Sequence, residues 1–212
     1  MVNKIKSCVF ISGNGSNLKS IVKSSRDYNF PINIELIISN NIKAEGLVFA
    51  KKYGIPFKFF SSKNKKKFER NCLFEIKNRK IKFLCLAGFM KKLSNNFIKS
   101  FGCNIINIHP SLLPKYQGLH THQRAIDAGD KEHGVSVHYV TEELDGGPVI
   151  LQAKVPIFEG DTADDLALRV HEQEHRIYPL VVKWCCNQRI SMHNDNVLFE
   201  GNALPASGYA SD

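Results

Sequence analysis

The sequence predicts an α/β protein, a Rossmann-like, mostly parallel sheet with helices on both faces, from three observations. Short apolar runs bounded by turn residues recur through the first half of the chain. The segments between them carry helical spacing. Buried strands alternating with helices of this length pack as a parallel sheet covered on each side. After residue 110 the pattern changes to two strand-like runs joined by a short loop, which reads as an antiparallel excursion.

Strands are expected at CVFIS (8–12), IELIIS (34–39), KFLCLAG (82–88) and NIINIH (104–109). Helices are expected from Leu18 to Ser25, Ala44 to Lys52, Lys65 to Arg79 and Asn95 to Phe101. GVSVHYV (134–140) and GPVILQAKV (147–155) form the antiparallel pair through TEELDGG. A longer helix starts after Thr162, which stands at capping-box spacing from Asp165. Its inward stripe is Leu166, Val170, Ile177, Val181 and Trp184. No repeat or linker interrupts the chain, so residues 1–212 are expected to form one domain.

A hydrophobic content of 43% is enough for a good core. The six cysteines (8, 72, 85, 103, 185 and 186) show no C-x-x-C spacing, and Cys8 and Cys85 sit inside apolar runs as small hydrophobes. That usage predicts a reduced, intracellular protein. No apolar stretch of about 18 residues exists to cross a membrane, and the N-terminal apolar segment is too short for a signal peptide. A cytoplasmic protein with no membrane partner is therefore expected, as a monomer or weak homodimer. The net charge of +9 fits a nucleic acid, an anionic small substrate or a lysine-biased composition alike. Its densest run, KNKKKFER, carries no nucleic-acid-binding signature and reads as a solvated helix face.

In open parallel sheets ligands bind beyond the carboxyl ends of the strands. After the first strand comes SGNGSNL, whose glycines and following helix N-terminus suit a phosphate cradle from Gly13 to Asn17. Leu18 replaces the last glycine of G-x-G-x-x-G, and Ser39 and Asn40 stand where a ribose-binding acid is expected. A phosphorylated, mononucleotide-like ligand fits better than a dinucleotide. After the third run comes FMKKL (89–93), either a plain loop into a helix or the lining for a flat ring bearing acidic groups. After the fourth comes His109, with Asn107 on the same face of the strand. An amide and an imidazole so placed can donate to one developing oxyanion. Asp145, before Gly146, Gly147 and Pro148, is a held carboxylate or a bare turn residue; beside His109 it would favour the imidazolium form.

HEQEH, His171 to His175, satisfies the H-E-x-x-H zinc signature. At about 100° per residue both imidazoles lie opposite the apolar stripe and face solvent. No third ligand has a recognisable spacing, so no metal is expected. On the same wheel Gln173 falls inside the stripe and Glu174 at its edge.

ISGNGSNL, LAGFMKKLS, NIHPSLLPKYQGLHTH, SVHYVTEELDGGPVILQ and QEHRIYPLV together resemble the folate-dependent formyltransferases, in their phosphoribosylglycinamide branch. The resemblance covers nearly the whole chain, to the PASGYA tail. It implies the formyltransferase fold and transfer of a formyl group from 10-formyltetrahydrofolate, a co-substrate, to the amine of 5-phosphoribosylglycinamide in de novo purine (IMP) biosynthesis. By the same resemblance Asn107 and His109 stabilise the oxyanion, and Asp145 tunes His109 and relays the proton. Gly15, Ser16 and Asn17 hold the substrate phosphate, and Glu174 holds the glycinamide end. Lys65, Met90, Lys91, Lys92 and Leu93 border the folate, with Asn107 shared by both ligands. Lys65 and Lys91 stand where the family pattern leads one to expect Arg, and an ammonium cannot form the bidentate fork of a guanidinium. The competing readings are a methionyl-tRNA formyltransferase-like enzyme, whose further C-terminal domain has no counterpart in this sequence, a zinc hydrolase and a basic nucleic-acid-binding module.

Overall fold

The computed structural model describes residues 4–102, 104–194 and 196–210. The chain resolves into two compact units, Met1–Ile106 and Asn107–Asp212, where the sequence expectation is one domain.

The first unit alternates strictly. It holds β1 (Ile5–Ile11), α1 (Ser16–Ser25), β2 (Ile32–Ser39), α2 (Glu45–Lys52), β3 (Phe57–Phe59), α3 (Lys65–Asn78), β4 (Phe83–Leu86), α4 (Asn95–Phe101) and the start of β5 (Asn104–His109). Its strands lie in the order β4-β1-β2-β3, and each of these pairs is parallel. Cys8 to Ile11 are wholly buried, as an unbroken apolar run in a covered parallel strand requires. The ring of Phe10 meets Phe68, Phe89 and Phe97 at centroid distances of 6.3, 5.3 and 6.1 Å, within the range where edge-to-face pairs are favourable. The four expected strands and four expected helices are all present. The short β3, with only three residues, has too little pattern to announce itself.

The second unit holds α5 (Thr121–Asp127), β6 (Glu132–Tyr139), β7 (Val149–Pro156), α6 (Ala163–Cys186), β8 (Ile190–His193), β9 (Asn196–Phe199), β10 (Asn202–Ala203) and β11 (Tyr209–Ala210). The strands order as β11-β7-β6-β5, with β6 and β7 antiparallel as the loop between them suggests. A separate three-stranded sheet, β10-β9-β8, is antiparallel. It escapes the sequence reading because its strands are short and mostly exposed. At the start of α6 the Thr162 hydroxyl accepts from the Asp165 N–H and the Asp165 carboxylate accepts from the Thr162 N–H, a complete capping box. The whole expected stripe of α6 is buried.

Cys8, Cys72, Cys85, Cys185 and Cys186 are buried, and burial pushes the Cys185 thiol up to about 12, so it stays protonated and unreactive. Cys103 lies outside the described residues. Among the described residues no helix is long and apolar enough to cross a membrane.

Candidate active site

In the first unit the segment expected to form the cradle is the turn from β1 into α1. Gly15 is the N-cap of α1 in the left-handed region, φ 74°, with no side-chain cap. Asn14 Oδ1 accepts from the Ser16 N–H at 3.1 Å, and Asn17 is buried. A Cβ on Gly15 would stand 2.9 Å from the Cα of Gly46. Backbone conformation and the close approach of α2 both demand glycine here. A valine at this position would damage helix packing as well as any bound phosphate, so it cannot isolate the cradle's role. Gly15→Ala should lower stability by about 1–2 kcal/mol from the left-handed conformation alone, read as a lower urea midpoint; an unchanged midpoint would show that the turn relaxes freely.

The segment after β4 is pinned at both ends. The Ser12 N–H donates to the Gly88 carbonyl at 3.1 Å, and Ser12 Oγ accepts from the Met90 N–H at 2.8 Å and donates to Asn40 Oδ1 at 2.7 Å. At the far end the buried Glu69 carboxylate accepts from the Ser94 N–H at 2.7 Å and from its hydroxyl at 2.6 Å. Between these anchors Met90, Lys91 and Lys92 are exposed and Leu93 is buried. Lys65 is exposed in the first turn of α3. Ser12 and Glu69, which fix this segment, escape a reading confined to contiguous motifs.

In the second unit Asn107, His109 and Asp145 come together. Asp145 has φ 49°, a left-handed conformation that Asp tolerates better than most residues. Gly147 cannot be replaced there, because a Cβ would lie 1.9 Å from the Tyr139 carbonyl oxygen. Asp145 Oδ2 accepts from the Gly118 N–H at 3.0 Å and lies 3.4 Å from His109 Nδ1. Its Oδ1 lies 3.4 Å from Asn107 Nδ2. His109 Nε2 donates to the Tyr116 carbonyl at 2.9 Å, since a carbonyl only accepts. The imidazole is therefore held from one side by backbone and faces the carboxylate with its other nitrogen.

His138 is the member that sequence reading missed. Burial pushes its pKa well below the ordinary histidine value, against smaller opposing effects of the Tyr139 backbone and Asp145. Its Nδ1 sits 2.8 Å from the Tyr139 carbonyl and must donate there. The neutral ring then presents a bare lone pair at Nε2, 3.1 Å from Asn107 Nδ2, which orients the Asn107 amide with its NH2 toward His138 and Asp145. The Ser111–Leu113 turn is fastened separately: Ser136 Oγ donates to the Ser111 carbonyl at 2.6 Å and accepts from the Leu113 N–H at 3.0 Å. A cavity of about 730 Å3 opens beside this loop, lined by Leu113, Gln117, Glu142, Asp145, Leu204 and neighbouring residues.

Glu174 is only 3% exposed, whereas Gln173 is partly exposed. This reverses the order expected from the helical wheel. The reason is a partner: Glu174 Oε2 lies 2.9 Å from His171 Nδ1. The His171 side chain turns to Glu174 while keeping the solvent contact expected of it, at 43% exposure; His175 is exposed and stacks on it at 6.3 Å. Among the described residues no group of three His, Cys, Asp or Glu is arranged to hold a metal ion.

The Formyl transferase family model matches residues 5–182. The chain is 46% identical to a phosphoribosylglycinamide formyltransferase of Escherichia coli (strain K12), over 96% of this chain and 98% of that protein. It is 45% identical to the protein of that name in Haemophilus influenzae, over 98% and 99% of the two chains. Among solved structures, the phosphoribosylglycinamide formyltransferase of Coxiella burnetii, in complex with CHES, matches with a TM-score of 0.92 and 43% identity, over 98% of this chain and 99% of that one.

Proposed function

The chain belongs to the formyl transferase family, and on that premise we propose that Asn107, His109 and Asp145 carry the transfer of a formyl group from 10-formyltetrahydrofolate to 5-phosphoribosylglycinamide. It is a phosphoribosylglycinamide formyltransferase of de novo purine biosynthesis. The observation supporting these roles is a carboxylate, Asp145, that lies 3.4 Å from the Asn107 amide with one oxygen and 3.4 Å from the His109 imidazole with the other, at the end of β5.

The donor supplies the formyl carbon, and the substrate amine attacks it. Charge then builds on the formyl oxygen, and donors fixed in advance lower the barrier most. Asn107 Nδ2 has one strong engagement, with His138, and a long one of 3.4 Å with Asp145. The long contact is the one that a developing oxyanion would displace, with His138 keeping the amide aimed. His109 presents Nδ1 beside Asp145, so a proton leaving the amine passes to this pair and back toward the leaving nitrogen. Gly15, Ser16 and Asn17 hold the phosphate through the α1 N-terminus, and Glu174 holds the amine end. Met90 offers exposed apolar surface to the pterin, with the buried Leu93 supporting the segment from beneath, and Lys65, Lys91 and Lys92 attract its acidic tail.

The test is Asp145→Asn, which preserves shape and tolerates the positive φ. Its turnover should fall about 100-fold or more, the usual weight of a general acid–base group, while KM for phosphoribosylglycinamide changes a few-fold at most. Loss confined to KM would reduce Asp145 to a turn residue.

A further inference from the structure

His171 and Glu174 form a buried-to-surface pair one turn apart on α6. Glu174 is 3% exposed, and the His171 side chain is 43% exposed, so the pair reaches from the interior to water. The contact of 2.9 Å runs from Nδ1 to a carboxylate oxygen, which can only accept. A proton on Nδ1 is therefore required whether or not the ring is charged.

We propose that His171 is a positioning residue of the substrate-amine subsite: it orients the Glu174 carboxylate and, when charged, competes with the substrate ammonium for it, so that affinity for phosphoribosylglycinamide weakens in acid. This inference rests on Glu174 as the amine-binding residue. An amine of the α-amino type is cationic below about pH 8, so the substrate arrives at neutral pH largely as a cation. With His171 neutral the subsite keeps one net negative charge. With His171 charged the pair is neutral, and much of the attraction is gone.

The charge environment favours the charged form of the ring. Accepting its proton, Glu174 raises the His171 pKa above the ordinary 6.5, against a smaller opposing effect of burial. His122 of α5 feels the charges of both members of the pair and of His109, and its own pKa is lowered first by burial and then by His171. His133 on β6 meets His122, with ring centroids 5.2 Å apart; His138 on the same strand is turned to Asn107. Lys154 of β7 pairs with Glu132 of β6, and β8 carries His193 as its only titratable group. On α6 itself His175 stacks on His171.

The experiment compares KM for phosphoribosylglycinamide at pH 6 and pH 8 in the parent, His171→Gln and Glu174→Gln, with KM for the folate as internal reference. Glutamine can still donate to Glu174 but carries no charge. Titration of the substrate amine contributes equally to the parent and His171→Gln, so the difference between their profiles reports His171. The parent's acid-side rise in KM should exceed that of His171→Gln by about tenfold, the usual effect of a charge at this distance, with no such difference in folate KM. Glu174→Gln should raise KM at pH 8. If Glu174→Gln does so while the parent and His171→Gln profiles run parallel, the role of His171 is overturned and the reading of Glu174 stands. An unchanged KM in Glu174→Gln overturns both.

Discussion

Asn107→Ala is expected to lower turnover by about 100- to 1,000-fold, the usual loss when one donor to an oxyanion is removed, and His109→Ala by about 100-fold or more, the usual weight of a proton-transfer group, because both ring nitrogens of His109 are engaged, by the Tyr116 carbonyl and by Asp145. The structure makes the two variants unequal in other respects. Asn107 is partly exposed and its amide is held by His138 and Asp145, so truncation leaves the fold intact. His109 is 5% exposed and satisfies the Tyr116 carbonyl. Its removal leaves that carbonyl without the ring, at about 1–3 kcal/mol. Steady-state rates should therefore be read beside urea unfolding curves. A folded Asn107→Ala protein with near-parent turnover would remove the amide from the mechanism.

The legibility of these residues follows from distance along the chain. Asn107 and His109 share a strand face because side chains alternate, and a motif of two residues on one strand can be read directly. Gly15 is legible for the same local reason, as a turn into a helix. Gly46 is not, because its meeting with Gly15 depends on how two helices pack. His138 stands 31 residues from Asn107, and their contact depends on strand neighbours that no local pattern states. Gly118 and Tyr116 act through backbone atoms, which most residue types carry, so their side chains announce nothing. The helical wheel puts Glu174 one position from its true depth because it counts apolar neighbours and ignores a polar partner such as His171. The antiparallel β8–β10 sheet was lost to short, exposed strands.

Acid should destabilise the protein through the second unit's buried imidazoles, and His133 is the clearest case. It is 1% exposed, its Nε2 has no hydrogen-bond partner among the described residues, and burial followed by the charge of His122 pushes its pKa from 6.5 down to about 4. The folded state thus refuses a proton that the unfolded chain accepts below about pH 6.5. The unfolded state binds more protons between these values, so stability rises with pH across that window. It is complete above 6.5 and is lost progressively as pH falls toward 4. A shift of this size corresponds to about 3 kcal/mol at about 1.4 kcal/mol per unit. His138, buried and shifted in the same direction, adds to the loss. His171 has a raised pKa and contributes in the opposite sense, with stability present below 6.5 and lost as pH rises through its folded value, but its exposure screens the effect. The net expectation is a urea midpoint for the second unit that drops from pH 7.5 to pH 4.5. His133→Gln should flatten that drop by about 3 kcal/mol, because an amide has no proton to gain. Parallel pH profiles for parent and variant would show that His133 takes its proton within the folded state at little cost.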